Sequence, residues 1–383
     1  MSSNNPIESA RSLRELVESE AENVERNNSM TSPVVDALVD AGLFRLLVPK
    51  DLGGMEADID TIIDVCEELS FADGSVGWAF AQNTTVMAYS SYLAPEFAQP
   101  LADARAAAGM FAPLGVANKI DGGYQVSGNY QFGSGCGHAE YMGGGALAME
   151  NGEMIMQADG MPLIVAFIVP SDRVTFKGNW DVMGLKGTGS FDFEVPEQFV
   201  SNGQTLSAFN TETITGGPLY GLGSIVVGTI SSTAWALGVA RRALHEIAEI
   251  AKGGRERMGS LALKEQQIFQ RDLGYHTVAV KAAMLMARNA YGSAVLAVAD
   301  NASAEQRAES LRETKAAATY VTKVAKAAVT FAYDASGSHG LRNPSRLQRC
   351  YRDISVGAAH QVFDERNLNE YCKPALGLEP SPF

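Results

Sequence analysis

The amino-acid sequence predicts a mainly α-helical protein with one β domain at its centre. Apolar residues recur at helical spacing from residue 7 to about 110, alternate with polar residues to about 205, and return to helical spacing from about 212. With 383 residues, the chain is also too long for one simple core. We therefore predict a helical domain over residues 1–110, a β domain over 111–210 and a helical bundle over 211–383.

Two helices are clearest in the first domain. The stretch "SPVVDALVDAGLFRLLVP" begins with Ser32 and Pro33, a pair typical of a helix start, and it ends at Pro49. The stretch "DIDTIIDVCEELSFAD" repeats the helical spacing until the turn at Asp73 and Gly74. Both stretches predict α-helices.

The rest of the chain divides into strands and then long helices. The segments "GGYQVSGNYQFGSG", "LIVAFIVP" and "FDFEVPEQFV" predict strands and tight turns. Four long helical stretches follow, and the last is "PSRLQRCYRDISVGAAHQVFDERNLNEY". The uncharged run 219–240 is long enough to cross a bilayer, but its four glycines and its amphipathic continuation favour a helix buried in the bundle.

Charge and cysteine content disfavour several functions. The net charge of −14 argues against nucleic-acid binding, which needs a surplus of Lys and Arg on one face. No basic amphipathic stretch suggests a membrane surface, and the N-terminus lacks the apolar segment of a signal peptide. The four cysteines are scattered without a CxxC pair, so we predict neither disulfides nor a metal site. We expect a cytoplasmic protein.

Common catalytic motifs are missing from the sequence. The run "GGPLYGLGS" superficially resembles a nucleotide fingerprint, but no strand precedes it in a βαβ unit, so no NAD(P)H site is evident. HExxH, GxSxG and paired-cysteine motifs do not occur. An enzyme with this sequence would therefore rely on a bound cofactor for its chemistry.

Five short motifs carry a resemblance to a known family. They are "AGLFRLLVPKDLGG", "GNYQFGSGCGHAEY", "GLKGTGSFDFEV", "RERMG" followed by Gln266, and "DASGSHGL" followed by "RLQRCYRD". Their order and spacing resemble the acyl-CoA dehydrogenase fold over nearly the whole chain. The resemblance implies an N-terminal helical domain, a middle β-barrel domain and a C-terminal four-helix bundle.

This resemblance implies a flavin site. Gly133 and Gly135 would let the backbone approach a flat ring, and Ser134 between them could hydrogen-bond a ring nitrogen. Phe132 could lie against the ring edge, and Arg255 could neutralise a phosphate. The implied flavin-binding residues are Phe132, Gly133, Ser134, Gly135, Thr188, Ser190, Arg255, Met258, Gln266, Gly337 and Gly340. A plain β-turn is the alternative interpretation of "GSG" alone.

One departure from the family pattern concerns its catalytic base. Acyl-CoA dehydrogenases abstract a proton with a glutamate, which in most members lies nine residues after the Arg of the "RD" pair. Counted from Arg352, this position holds Gln361, whose amide cannot act as a base. Some members place the glutamate at the start of the first bundle helix, but no carboxylate occurs between Glu212 and Glu246. An FAD-dependent acyl-CoA dehydrogenase or oxidase is therefore our second hypothesis.

A branch of the same fold lacks this glutamate, and the chain resembles that branch. Its members are two-component reduced-flavin monooxygenases, such as the oxygenase component of 4-hydroxyphenylacetate hydroxylase and dibenzothiophene monooxygenase. The resemblance implies that a separate flavin reductase supplies reduced FMN or FAD, that O₂ forms a C4a-hydroperoxyflavin, and that one oxygen hydroxylates an aromatic or heteroaromatic small molecule. It also implies a homotetramer. A non-catalytic flavin- or acyl-binding relative is the third hypothesis.

Four residues are candidates for catalysis in such a site. Ser134 is expected to hydrogen-bond flavin N5. His360 is the first candidate to move a proton, with Asp364 one helical turn later to orient it. His138 is the second candidate, and Asn83 could hydrogen-bond substrate or peroxide without exchanging protons. An ordinary turn residue is the alternative interpretation of His138, and packing against a bulky neighbour is that of His360.

Overall fold

Helices occupy both ends of the chain, and a sheet occupies its middle. The structure, a computed structural model, describes residues 5–158, 160–208, 211–254 and 259–381. The N-terminal helices are α1 (Pro6–Ser12), α2 (Arg14–Arg26), α3 (Ser32–Asp40), α4 (Ile59–Ala72), α5 (Gly74–Met87) and α6 (Pro95–Asp103).

Asp73 joins α4 directly to α5. Its Oδ1 accepts hydrogen bonds from the backbone N–H groups of Ser75 and Val76 at 3.0 and 3.1 Å, which caps the start of α5. Helix α5 contains no charged residue and is buried along nearly its whole length. It lies against α4, α7 and the first strand, and therefore at the centre of the molecule.

The middle of the chain forms one eight-stranded sheet. Its strands are β1 (Ala107–Ile120), β2 (Gly123–Gly133), β3 (Tyr141–Glu150), β4 (Glu153–Met154), β5 (Ile164–Pro170), β6 (Thr175–Phe176), β7 (Phe191–Ser201) and β8 (Thr205–Ser207). They follow the order β6–β7–β2–β1–β3–β5–β8, with β4 paired to β3. β1 and β3 run parallel, and the other pairs are antiparallel. Among the described residues, the expected barrel is not closed by strand pairing, because the path ends at β6 and β8.

Helices make up the C-terminal part of the chain. They are α7 (Ser224–Lys252), α8 (Gln267–Ala299), α9 (Ala304–Ser336), α10 (Arg346–Gly357) and α11 (Arg366–Cys372). Helix α7 packs against α4, α5, α8, α9 and α10, and its first two-thirds are almost entirely buried. This burial agrees with the interpretation of the uncharged run 219–240 as a bundle helix. Within it, Trp235 is fully buried and donates from Nε1 to the carbonyl of Gly74 at 2.8 Å.

The fourth long helix predicted from the sequence is interrupted. Helix α10 ends at Gly357, where an added Cβ would lie 2.1 Å from the ring of Trp235, so only glycine fits against that ring. A short 3₁₀ turn over Gln361–Phe363 follows, and α11 begins at Arg366. The prediction of one continuous helix is therefore wrong, and His360 lies in the break.

Helix α8 exposes much of its apolar surface. Among the described residues it is the one helix long and apolar enough to cross a membrane by length and composition, although core helices of soluble proteins pass the same test. Of its most apolar window, 28% is buried. Its exposed large apolar residues fall on one face at helical spacing, and they are Ile268, Tyr275, Val278, Leu285 and Leu296.

Candidate functional site

The end of β2 holds an exposed aromatic ring on an unusual backbone. Phe132 has a φ of +63°, a left-handed conformation that residues other than glycine rarely adopt. It lies at a register shift in the pairing between β2 and β7. The residue is 52% exposed, and its ring meets Trp180 edge to face at a centroid distance of 6.1 Å. The residue expected to face a flavin therefore presents an uncovered flat surface.

Gly135, in the turn after β2, makes room for a buried amide. Its φ of +76° is left-handed, and an added Cβ would lie 2.4 Å from Oδ1 of Asn83. Glycine at this position is thus required by the backbone conformation and by the close contact with Asn83. The approach of a flat ring, expected from the sequence, is not needed to explain it.

Every polar atom of the Asn83 side chain is already hydrogen-bonded within the protein. Its Nδ2 donates to the carbonyls of Ala107 and Ser134 at 2.9 and 3.3 Å. Its Oδ1 accepts a hydrogen bond from Nε2 of His138 at 2.9 Å, and the side chain is fully buried. In place of the expected contact with substrate or peroxide, Asn83 ties α5 to β1 and to the turn after β2.

The side chain of His138 is hydrogen-bonded to Asn83. Because Nδ2 of Asn83 donates to two carbonyls, its Oδ1 faces the imidazole, and Nε2 of His138 must carry the hydrogen. Nδ1 is buried and has no partner among the residues that the structure describes. Burial, with a smaller effect of Arg105, lowers the pKa of His138 to about 4. The ring is therefore neutral at physiological pH, and its donor is used structurally.

Three hydroxyl groups form a continuous hydrogen-bonded chain beside Trp78. Nε1 of Trp78 donates to Oγ of Ser134 at 3.2 Å, and Oγ of Ser134 lies 2.7 Å from Oγ of Ser190. Oγ of Ser190 in turn lies 2.6 Å from Oγ1 of Thr188. Thr188 donates to the carbonyl of Leu185 at 2.8 Å. Ser134, Thr188 and Ser190 are nearly completely buried, and we call these three residues the hydroxyl chain.

Trp78 also contacts His360. The two rings meet edge to face at a centroid distance of 5.6 Å. Nδ1 of His360 accepts a hydrogen bond from the backbone N–H of Val362 at 3.3 Å, so the neutral ring carries its hydrogen on Nε2. Within the described ranges, no residue hydrogen-bonds to this Nε2, and the atom is not fully buried. His360 therefore presents a free N–H donor beside Trp78.

Two expectations about His360 change. Burial lowers its pKa to about 4, so the ring does not titrate near neutrality and is uncharged at physiological pH. Asp364 does not orient the ring, because its carboxylate accepts hydrogen bonds from the backbone and side chain of Arg366. His360 is thus a hydrogen-bond donor at Nε2 rather than a base oriented by a carboxylate.

Trp78 links Ser134 and His360, although nothing in the sequence singles it out. A tryptophan in a buried, uncharged helix has the pattern of a core residue. One turn later on α5, Gln82 is partly exposed, and its Nε2 donates to Oγ of Ser232 on α7 at 3.2 Å. Its Oε1 has no hydrogen-bond partner in the described part of the chain. Spacing of four residues places Gln82 on the same helix face as Trp78.

The family resemblance implies that Arg255, Met258 and Gln266 contact a neighbouring subunit's flavin. Arg255 and Met258 fall outside the described residues. Gln266 precedes α8, and its side-chain amide donates to the carbonyl of Leu261 at 2.8 Å. Its amide nitrogen is thus used to shape the loop before α8.

Gly337 and Gly340 form the turn after α9. This turn borders an open groove of about 520 Å³ whose lining includes His339, Arg342 and Arg346. No residue of the hydroxyl chain lines the groove. The structure therefore places the two predicted glycines beside a groove that Glu246 lines together with the two arginines.

A buried cluster of charges supports the loop that ends the hydroxyl chain. Oδ1 of Asp353 accepts a hydrogen bond from the backbone N–H of Leu185 at 2.6 Å, and Leu185 has a left-handed φ of +57°. The Arg349 guanidinium lies 3.4 Å from Asp73 and 3.3 Å from Glu25. Burial, followed by the repulsion of Asp73, raises the pKa of Asp353 to about 7. The C-terminal signature thus anchors the backbone beside Thr188.

Models of two domains of one protein family match the chain. The acyl-CoA dehydrogenase N-terminal domain matches residues 8–96, and the acyl-CoA dehydrogenase C-terminal domain matches residues 230–365. Together they cover more than half of the sequence, at its two ends. The chain belongs to the acyl-CoA dehydrogenase family. The fold predicted from the five motifs is thereby confirmed.

Relatives within the acyl-CoA dehydrogenase family carry the names of monooxygenases. The chain is 26% identical to indole-3-acetate monooxygenase of Pseudomonas putida, over 94% of this chain and 90% of that protein. It is 28% identical to HsaA of Mycobacterium tuberculosis, a flavin-dependent monooxygenase oxygenase subunit. The match covers 90% of this chain and 89% of that protein. The structure of XiaF from Streptomyces in complex with FADH₂ and glycerol matches with a TM-score of 0.87 at 21% identity, over 98% of this chain and 96% of that chain. The predicted resemblance to the monooxygenase branch is confirmed.

Proposed function

We propose that the protein is the oxygenase component of a two-component flavin-dependent monooxygenase. It takes reduced FMN or FAD from a separate flavin reductase and uses O₂ to hydroxylate an aromatic or heteroaromatic small molecule. The observation that carries this proposal is the contact of both Ser134 and His360 with Trp78 near the end of β2. The names of relatives, an indole-3-acetate monooxygenase and a flavin-dependent oxygenase subunit, support the same chemistry.

The residues at the end of β2 fit a flat ring with a polar edge. Phe132 offers an exposed apolar surface, and Oγ of Ser134 keeps one lone pair that no described residue uses. Reduced flavin, when bound, supplies the two electrons needed to activate O₂ for the transfer of one oxygen atom. The residues of this chain would orient the ring, exclude water from it and supply hydrogen bonds.

His360 and Gln82 offer polar contacts for a substrate. The free Nε2–H of His360 can donate to an oxygen atom, and Oε1 of Gln82 can accept from a phenol hydroxyl or an indole N–H. Gln82 lies one helical turn after Trp78 on α5, and the His360 ring contacts the Trp78 ring. A small aromatic ring that carries a hydrogen-bond donor fits this combination.

The dehydrogenase activity of the family is not supported. Gln361, at the position of the usual glutamate, is an exposed amide in a 3₁₀ turn and cannot act as a base. Helix α7 holds no carboxylate before Glu246, and that carboxylate pairs with Arg242 at 2.9 Å. Neither position that the family uses for its glutamate therefore provides one.

A single-turnover experiment tests the proposed function. Purified protein is mixed with reduced FMN or FAD and ¹⁸O₂ in the presence of phenols and indoles. We expect a hydroxylated product that carries one labelled oxygen, and we expect no bleaching by acyl-CoA of protein incubated with oxidised FAD. Release of all oxygen as hydrogen peroxide with every ring tested, or bleaching by acyl-CoA, would contradict the proposal.

We infer that the exposed apolar face of α8 packs against a second copy of this chain within a homotetramer. Its five large apolar residues lie on one helix face, and two glycines on the same side have open space beside them. These glycines, Gly274 and Gly292, are eighteen residues apart, so they project in the same direction and allow close helix approach. Gln266 at the start of α8 is the position where the family resemblance expects contact with a neighbour's flavin. We place this assembly in the cytoplasm, without membrane or nucleic acid.

Light scattering on the purified protein tests the assembly. We expect the mass of four chains, and Leu285→Glu is expected to reduce it, because a buried unpaired carboxylate opposes association. Leu376→Glu is the matched control, since Leu376 is similarly exposed in the last 3₁₀ turn. Monomeric wild-type protein, or recovery of the protein in the membrane fraction, would contradict this assembly.

A further inference from the structure

A groove of about 560 Å³ lies between α9 and the segment that contains His360. Its lining residues come from the middle of α9 and from residues 358–365. This volume falls within the usual range of small-molecule sites. In the described part of the chain, neither Trp78 nor any residue of the hydroxyl chain lines the groove. The groove is therefore separate from the residues that fit a flavin ring.

One part of the groove is apolar. Ala327, Ala358 and Phe363 line it with two methyl groups and an aromatic ring. Phe363 is 5% exposed, and its ring meets the ring of His360 at a centroid distance of 6.4 Å. An aromatic ring bound in the groove would therefore pack beside the residue that contacts His360.

The other part of the groove carries positive charge. Lys323 and Lys326 line it together with one acid, Glu365. Nζ of Lys323 lies 2.5 Å from Oε1 of Glu365, whereas no residue in the described ranges forms an ion pair with Lys326. Two lysines and one glutamate give the groove one net positive charge, on a chain whose net charge is −14. Lys326 is therefore a cation that an anionic ligand can pair with.

A buried hydroxyl beside Lys326 lacks a partner. Thr322 lines the groove and is 3% exposed, and its Oγ1 has no hydrogen-bond partner among the described residues. Spacing of four residues places Thr322 and Lys326 side by side on α9. Because buried polar atoms are nearly always hydrogen-bonded, a water or a ligand is expected to satisfy this hydroxyl.

We propose that this groove binds a small aromatic carboxylate, with its ring beside Phe363 and its carboxylate at Lys326. An uncharged ring would leave Lys326 unpaired, and a small inorganic anion would leave the apolar wall uncovered. A molecule that combines a ring with a carboxylate matches both parts of the groove. The site is separate from the flavin-binding residues, so the inference goes beyond the proposed function and does not depend on it.

A ligand in the groove would restrain the segment that contains His360. Thr319 of α9 donates to the carbonyl of Asp364 at 3.1 Å, and the backbone N–H of Val362 donates to Nδ1 of His360 at 3.3 Å. The protein thus holds this segment on both sides of Phe363. A ring packed beside Phe363 adds a contact between these two points, and it should slow hydrogen exchange of the segment.

Two substitutions at the groove should change the affinity in opposite directions. Lys326→Gln removes the unpaired cation and is expected to weaken binding of benzoate about fivefold. Glu365→Gln removes the acid that repels the carboxylate and frees Lys323, so it is expected to tighten binding about fivefold. Lys281→Gln is the matched control, because Lys281 is an exposed lysine on α8 that does not line the groove. All three side chains are exposed, so the fold should be unaffected.

Calorimetric titration of the purified full-length protein, without added flavin, tests the proposal. Benzoate is the probe, and benzamide is its uncharged counterpart of similar shape. Wild-type protein is expected to bind benzoate saturably and benzamide about fivefold more weakly, since the amide cannot form an ion pair with Lys326. Hydrogen–deuterium exchange locates the bound ligand: benzoate is expected to slow exchange in residues 319–330 and 358–365.

The outcomes are separate from those that test the proposed function. Weaker binding of benzoate by Lys326→Gln and tighter binding by Glu365→Gln, with wild-type binding by Lys281→Gln, support the inference. Equal affinity in all variants would place benzoate in another site, such as the ring site beside Trp78, and would overturn it. Binding of benzamide as tight as that of benzoate, or no binding of benzoate by the wild type, would overturn it as well. Each of these results leaves the proposed monooxygenase activity to be decided by the ¹⁸O₂ experiment.

Discussion

Replacing His360 with alanine is expected to lower the rate of substrate hydroxylation about a hundredfold, in the range seen when one positioned hydrogen-bond donor is removed from an active site. Oxidation of reduced flavin by O₂ should continue, so the missing product should be replaced by hydrogen peroxide. The reason is the free Nε2–H beside Trp78, which alanine cannot replace. The measurement is the amount of hydroxylated product and of hydrogen peroxide per reduced flavin consumed.

His360→Asn is the matched control for the structural role of this side chain. In the wild type, Nδ1 caps the 3₁₀ turn by accepting from the backbone N–H of Val362 at 3.3 Å, and an asparagine carbonyl can accept the same bond. We expect His360→Asn to be uncoupled like His360→Ala while it recovers most of about 1 kcal/mol of stability that the alanine variant loses. An unchanged ratio of product to peroxide in both variants would leave His360 as a packing partner of Trp78.

The pKa of His360 adds a pH dependence to this prediction. Since burial lowers the pKa from 6.5 to about 4, the unfolded chain binds a proton before the folded chain does as the pH falls. The stability that neutral His360 contributes is therefore present above about pH 6.5 and is lost as the pH falls through about 4. In the folded enzyme, we expect the ratio of product to peroxide to show no inflection near pH 6.5 that depends on His360.

The parts of the site were predictable from the sequence, but their connections were not. The turn with Ser134 and the loop with Thr188 and Ser190 each match a motif, because both segments carry glycine and hydroxyl residues in tight turns. Their contact joins residues 56 positions apart, which local pattern does not show. The role of Trp78 is hidden for a similar reason, since a buried tryptophan in an apolar helix has the pattern of core packing.

The end of helix α10 before His360 was also not predictable from the sequence. The segment from Gly357 to Ala359 consists of small residues and gives no strong stop signal. Tertiary packing ends the helix instead, because the chain meets Trp235 at Gly357 and the His360 side chain then caps the next turn. As a result His360 lies beyond the helix end, and Asp364 is not one helical turn below it.

Replacing Arg349 with methionine is expected to lower the free energy of unfolding by about 3–5 kcal/mol, the usual cost of removing one partner from a buried ion pair. Its guanidinium is the cation 3.4 Å from the buried Asp73 carboxylate, and Glu25 and Asp353 lie in the same cluster. Urea unfolding, followed by tryptophan fluorescence and circular dichroism, measures the loss. Arg366→Met is the control, because the pair of Arg366 with Asp364 is exposed and screened by solvent, so its loss should leave the free energy of unfolding nearly unchanged.

The decrease in the free energy of unfolding caused by Arg349→Met should depend on pH. The pKa of Asp353 is raised from 3.8 to about 7, so its contribution to stability is fully present below about pH 4 and is lost as the pH rises through about 7. Removing Arg349 removes an attraction that opposes this shift, and the carboxyls can escape the penalty only by binding protons. We therefore expect a larger deficit at pH 8 than at pH 5. An equal decrease in stability at pH 8 and pH 5 would mean that the variant is destabilised by lost packing and not by lost charge.

Arg349→Met is also expected to affect the hydroxyl chain, through the backbone of Leu185. Asp353 accepts from the N–H of Leu185, and the carbonyl of Leu185 accepts the hydroxyl of Thr188. Leu185 holds a left-handed conformation, which a non-glycine residue keeps only when its surroundings enforce it. A displaced Asp353 should therefore weaken the bond of Thr188 to Leu185 at the end of the hydroxyl chain. Arg349→Met should therefore form less hydroxylated product per reduced flavin consumed under conditions where it is still folded, and Arg366→Met should keep the wild-type yield. A folded Arg349→Met with the wild-type yield of product would show that the charge cluster supports the fold alone.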